Sequence, residues 1–140
     1  MNDLLNELKN AVVEGDADAA VSVARRALAA GLDAQIIFDS GIVAGIQEAG
    51  VLWDCNRYRV PDVILSADAF NAAIAVIEQD LRPDPGAQPP KVVLGVVEGD
   101  VHDLGKNIVA TMLKGAGLQV VDLGVDVPAA TFVEAVRRER

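Results

Sequence analysis

The sequence predicts an all-α four-helix bundle followed by the first half of a doubly wound α/β domain. Three observations predict it. Four apolar stripes at helical spacing precede residue 82, a proline-dense stretch interrupts the chain, and β-branched runs alternate with helical patterns from residue 91 onward. The stretch Arg82-Pro83-Asp84-Pro85-Gly86-Ala87-Gln88-Pro89-Pro90 holds four of the six prolines, so it cannot continue a helix and reads as a semi-rigid linker. The expected boundaries are 1–82 for the helical domain, 83–90 for the linker and 91–140 for the α/β part.

In the first part, Leu4, Leu5, Leu8 and Val12 form one stripe that Gly15 stops. Asp16 is placed to cap a second helix with Ala20, Val23, Ala24, Ala27 and Leu28, ending at Gly31. Asp33 caps a third, which carries Ile36, Ile37, Val43 and Ile46. Its Gly41, Gly45 and Gly50 are spaced for close approach of a neighbouring backbone. The fourth starts at Pro61, where a missing amide hydrogen costs nothing, and runs through Val63, Ile64, Ala67, Phe70, Ile74 and Ile77 to Leu81. Four helices with short connections make a bundle.

After residue 91 the period changes. Val92-Val93-Leu94-Gly95-Val96-Val97 is the kind of run buried on both faces of a parallel sheet. Asn107 to Leu118 reads as a helix with Ile108, Val109, Met112 and Leu113 on its apolar face. Gln119 to Gly124 is a second strand and Pro128 to Arg138 a second helix. Ligands of such folds bind at the carboxyl ends of strands, which points to Glu98-Gly99-Asp100-Val101-His102-Asp103-Leu104-Gly105-Lys106-Asn107. The segment fits neither phosphate motif: five residues instead of four separate Gly99 from Gly105-Lys106, and no third glycine supplies the dinucleotide spacing. What remains is the only histidine of the chain between two aspartates. Imidazole is a good ligand for a transition metal, and a carboxylate on its other nitrogen, here Asp100, fixes the tautomer. With one histidine and one cysteine a protein-only tetrahedral zinc site cannot be assembled, so a single ligand, His102, makes sense if a macrocycle fills the other metal positions.

The 140 residues carry 12 basic and 21 acidic side chains, a net charge of −9, which opposes binding to nucleic acid or an anionic membrane. Six basic and fourteen acidic residues precede residue 91; six and seven follow. The lone Cys55 excludes an internal disulfide, the N-terminus carries Asp3 and Glu7 where a signal peptide is basic, and no unbroken apolar run reaches the roughly 18 to 20 residues that span a bilayer. A cytoplasmic protein is expected.

Asp100-x-His102-x-x-Gly105 after a hydrophobic strand, continuing as Gly105-Lys106-Asn107-Ile108-Val109, resembles the cobalamin-binding signature of corrinoid proteins. Val121-Asp122-Leu123-Gly124-Val125-Asp126-Val127-Pro128 is similar to that family's second strand and following loop. Leu52-Trp53, Tyr58-Arg59-Val60-Pro61-Asp62 and Ala67-Asp68-Ala69 resemble the helical cap that accompanies this domain in methionine synthase and in the corrinoid carriers of methyltransferase systems. The resemblance implies a flavodoxin-like, Rossmann-like cobalamin domain in which His102 ligates cobalt and Asp100 hydrogen-bonds the imidazole. Val101, Asp103, Leu104 and Gly105 would lie along the corrin, with Val60 and Leu65 of the cap above it. It also implies a methyl carrier, not catalytic alone, that serves a donor methyltransferase and a thiol or tetrahydrofolate acceptor methyltransferase and is reactivated by a reductive activation protein.

Two departures matter. The cap of cobalamin photoreceptors carries Glu-His after its Trp, and Trp53 has no such partner. The family's cobalamin domain also continues for several strands beyond the two found here, so this half is expected to be incomplete in isolation and either to pair with another chain through its open sheet or to be poorly ordered. A cobalamin-dependent sensory module, and an interaction module that no longer binds cofactor, remain the alternatives.

Overall fold

The computed structural model describes residues 2–81 and 89–139 and divides into two compact units, Met1–Ala87 and Gln88–Arg140. Most of the expected linker, residues 83–88, lies outside the described residues.

In the first unit, α1 (Asn2–Glu14) buries Leu8, Ala11 and Val12 and ends at Gly15, whose φ of +72° favours glycine. Asp16 caps α2 (Ala17–Ala29) by accepting the Ala19 N–H at 2.9 Å. Asp33 caps α3 (Ala34–Ile37), accepting the Gln35 N–H at 2.8 Å. A π-helical stretch, Phe38–Val43, carries α3 into α4 (Ala44–Asp54), and the three pieces form the single third helix expected from the sequence. In α5 (Val60–Ile77) the Asp62 carboxylate reaches back to the Arg59 N–H at 2.8 Å, with Pro61 in the first turn. The helix stops four residues short of the expected Leu81, where the Asp80 N–H turns back to the Ile77 carbonyl at 2.9 Å in a tighter three-residue step.

Side-chain size decides how these helices meet. A Cβ on Gly41 would lie 2.8 Å from Leu8 Cδ2, and one on Gly45 would lie 2.7 Å from Val12 Cβ and 2.8 Å from the Lys9 carbonyl, so both glycines admit α1. Gly50, expected to do the same, faces open space. Two donors from the α5 side converge on one carbonyl of α1: Tyr58 Oη donates to Val13 O at 2.7 Å and the fully buried Ser66 Oγ donates to it at 2.9 Å. They occupy a carbonyl of the last turn of α1, which has no acceptor role left within its own helix. Burial, aided by nearby Asp62 and Glu14, pushes the Tyr58 hydroxyl above its ordinary range.

Contrary to the sequence expectation, Ala34–Asp54 and Val60–Ile77 are long and apolar enough to cross a membrane by length and composition. The expectation counted unbroken runs, whereas Asp39, Glu48, Asp62 and Asp68 only interrupt these helices. Core packing accounts for much of their apolarity: Ile37, Ile42, Ile46, Ala49, Val63, Phe70, Ala73 and Ile77 are buried.

In the second unit, β1 (Lys91–Leu94) pairs in parallel with β2 (Gln119–Asp122), Val92 opposite Val120 and Leu94 opposite Asp122. The connection between them contains α6 (Leu104–Gly115), and α7 (Ala129–Arg138) follows β2. Both strands are shorter than expected. Pairing breaks after Leu94 and resumes as a single bridge between Val97 and Val127, with Val96 N–H donating to Gly124 O and Val127 N–H donating to Val96 O, both at 2.9 Å. Phe132 of α7 packs over Gly95, where a Cβ would lie 3.0 Å from its ring. The run Val92–Val97 is not buried on both faces as expected, because among the described residues β1 has β2 as its only strand neighbour. The apolar face expected for α6 is also only partly covered: Val109 is exposed, while Ala110, Thr111 and Gly115 are buried.

Candidate functional site

The bridge at Val97 fixes where the chain leaves the sheet, and Glu98-Gly99-Asp100 then turns tightly, with Asp100 N–H donating to Val97 O at 3.1 Å. Gly99 has φ +86°, which this reversal requires. Asp100 Oδ1 accepts the backbone N–H of His102 at 2.9 Å and faces its ring Nδ1 at 2.6 Å. These two donors hold the Asp100 carboxyl below its ordinary range. A carboxylate only accepts, so the ring proton sits on Nδ1 and Nε2 is left as a basic lone pair. The His102 side chain is 91% exposed. The expected pairing of His102 with Asp100 is therefore present in the geometry.

The other residues named from the sequence surround this pair unevenly. Val101 and Leu104, which flank His102 in the chain, are exposed apolar side chains, as are Val97 and Val125. Asp103 precedes α6 and holds Asn107 twice, its carbonyl taking the Asn107 N–H at 2.9 Å and its carboxylate the side-chain amide at 3.2 Å. This starts the helix three residues before the expected Asn107. Gly105, in its first turn, has nothing within 4 Å of where a Cβ would stand. Val60 and Leu65 belong to the first unit, in the first two turns of α5, about half exposed. Leu65 also packs over the end of α1, since a Cβ on Gly15 would lie 2.5 Å from Leu65 Cβ.

Sequence reasoning missed the support beneath the turn. Lys106 Nζ donates to Asp122 Oδ2 at 2.5 Å and to Asn107 Oδ1 at 2.7 Å, tying the start of α6 to the end of β2. Burial alone would raise the Asp122 carboxyl, but hydrogen bonds from Lys106 and the Gly124 amide outweigh it and hold the group below its ordinary range. From the next loop, Asp126 Oδ1 accepts Gly99 N–H at 2.7 Å while Asp126 N–H donates to Asp100 O at 3.0 Å. The available signal was a non-glycine residue in a turn able to adopt a left-handed conformation, a role Asp accepts more readily than most.

The donor set fits a metal carried inside a macrocycle. Among the described residues no three His, Cys, Asp or Glu side chains gather to hold an ion, so His102 offers one ligand and the rest of the coordination must come with the group. Open space at Gly99, Gly105 and Gly124 and the exposed apolar side chains nearby suit a flat, largely apolar ring.

Comparison with known proteins assigns the class. Two family models, each described as a B12 binding domain, match residues 4–78 and 90–140. The chain belongs to the B12-binding domain family, whose cofactor is a corrinoid. It is 40% identical to a corrinoid protein of Desulfitobacterium hafniense over 93% of this chain and 62% of that one, and 41% identical to trimethylamine corrinoid protein 1 of Methanosarcina mazei over 96% and 63%. Among solved structures it is similar to the methanol:cobalamin methyltransferase complex of Methanosarcina barkeri, with a TM-score of 0.81 and 37% identity over 99% of this chain and 53% of that chain. The chain thus spans less than two thirds of the length of these relatives.

Proposed function

We propose that this chain is the corrinoid-holding part of a protein that carries a methyl group between methyltransferases. The observation that carries the reading is the exposed imidazole of His102, its Nδ1 proton held by Asp100 and its Nε2 free. When bound, the corrinoid supplies a cobalt centre that accepts and gives up a methyl group. His102 Nε2 would hold the metal of that group. Asp100 keeps the ring in the ligating tautomer and strengthens its donation. Gly105 leaves room for backbone to approach the ring, Val101 and Leu104 provide apolar contact, and Asp103 anchors the helix behind them. A role for Val60 and Leu65 as apolar contacts of the cofactor rests on the family resemblance alone.

The relatives' names support a methanol- or methylamine-type donor system; a thiol or tetrahydrofolate acceptor, a reductive activation protein, a cytoplasmic setting and self-association through the sheet are further parts of this proposal. The test is reconstitution of the full chain with hydroxocobalamin, gel filtration and visible spectroscopy of wild type and His102→Ala. The expected result is a histidine-ligated corrinoid spectrum that the substitution abolishes. A wild type that emerges free of corrinoid overturns the reading. Methyl transfer to an added acceptor methyltransferase then separates a carrier from a sensory module.

A further inference from the structure

We propose that Asp126 is a positioning residue for the His102 ligand: it clasps the turn after β1 so that the Asp100 carboxylate meets both the backbone and the ring of His102. The inference rests on the reading of His102 as the residue that would hold the corrinoid's metal. Asp126 takes hold of the turn from both sides of one residue boundary, its Oδ1 accepting Gly99 N–H at 2.7 Å and its own N–H donating to Asp100 O at 3.0 Å. The grip requires Asp126 to stand at φ +54°, a conformation shared by Asn56 alone among the described non-glycine residues. The neighbouring Val127 bridge to Val97 keeps Asp126 in register with the turn, and Asp122 Oδ1, accepting Gly124 N–H at 2.9 Å, braces the other end of the same loop. Asp100 therefore does not set its own position. Besides its own N–H bond to Val97 O, two hydrogen bonds from a residue 26 positions later in the chain hold Gly99 and Asp100 from either end.

The two consequences of Asp126, its side-chain acceptor and its left-handed backbone, can be separated. Asp126→Gly keeps the backbone conformation and removes the acceptor; Asp126→Asn keeps an acceptor oxygen and tolerates the conformation. His102 is the only histidine, so a chain labelled with 15N-histidine gives one unambiguous pair of ring signals that reports the tautomer without any cofactor. In the wild type and Asp126→Asn the ring is expected to be protonated at Nδ1, and the Gly99 amide to exchange about tenfold more slowly than in Asp126→Gly, as befits a lost charge-assisted hydrogen bond. In Asp126→Gly the ring shifts toward the Nε2–H tautomer, and the histidine-ligated spectrum with hydroxocobalamin weakens. Wild-type ring signals together with wild-type Gly99 exchange in Asp126→Gly overturn the proposal. Should that variant not fold, the wild type decides: a Gly99 amide exchanging at the rate of an unprotected loop overturns the clasp, and a protected one supports it. A wild type that retains no corrinoid overturns the functional reading, while the ring signals still judge the clasp. A wild type that binds with histidine ligation and an indistinguishable Asp126→Gly overturns the clasp alone.

Discussion

Lys106 and Asp122 meet at 2.5 Å across the gap between α6 and β2, and they do so unequally: the lysine side chain is 7% exposed, the aspartate 41%. Removing either partner should therefore have different costs. Asp122→Asn leaves a buried ammonium without its counter-charge, with an expected loss of about 2–3 kcal/mol. Lys106→Met leaves a carboxylate that solvent and the Gly124 amide still serve, with an expected loss of about 1 kcal/mol. Trp53 lies in the other unit, so the measurement is hydrogen exchange of the second unit, read at the Leu123 amide bonded to Leu94 O. Equal losses would count against the asymmetry.

The same pair sets an acid response. Its carboxyl is held below the ordinary aspartate range in the folded chain, so its stabilisation is fully present above that range and fades as pH falls through the lowered value. Protection of the second unit should decline as pH falls through and below the ordinary aspartate range, and the decline should be shallower in Lys106→Met. Parallel curves for the two proteins would remove Lys106 as the cause.

Tyr58 and Ser66 share the Val13 carbonyl, which makes their contributions non-additive. Tyr58→Phe or Ser66→Ala alone should cost about 1 kcal/mol, since one donor remains. The double variant should exceed the sum by about 1 kcal/mol, because the carbonyl then loses every side-chain donor. Urea denaturation followed by Trp53 fluorescence completes the cycle, and simple additivity would mean that water replaces the lost donor freely.

Gly45 and Gly50 lie in one helix and should respond to alanine with opposite signs. Gly45→Ala drives a Cβ to 2.8 Å from the Lys9 carbonyl, a backbone atom that cannot swing aside, and should destabilise by about 2 kcal/mol. Gly50→Ala meets nothing and should stabilise by about 0.5–1 kcal/mol through helix propensity. Thermal unfolding of both variants provides the comparison.

What was legible in the sequence is what depends on residues close together in the chain. Asp16 and Asp33 announce their caps, Pro61 its first turn, and Asp100 its reach to His102 two residues on. The misjudged features depend on distant partners. Gly50 follows Gly45 by five residues where Gly45 follows Gly41 by four, and only the position of α1 decides which of these glycines are crowded. The packing of Phe132 over Gly95 joins residues far apart in the chain, and α6 begins early where Asp103 engages Asn107. Asp126 escaped for the same reason: its bonds to Gly99 and Asp100 exist only once β2 lies beside β1.

The π-helical stretch has a consequence for the phase of the third helix. Its buried small and apolar residues recur at Ile37, Gly41, Gly45 and Ala49, in steps of four residues, with Gly41 and Gly45 set against Leu8 and Val12 of α1. A step of four overshoots an α-helical turn by about 40°, so three steps would carry Ala49 roughly 120° away from Ile37. One wide turn between residues 38 and 43 absorbs about one residue of rotation, close to 100°, and brings the stripe back into line. Deleting a single residue there would let the stretch close to an ordinary α-helical turn with Gly45 still under Val12, so the wide turn works as slack that takes up one surplus residue without turning the stripe.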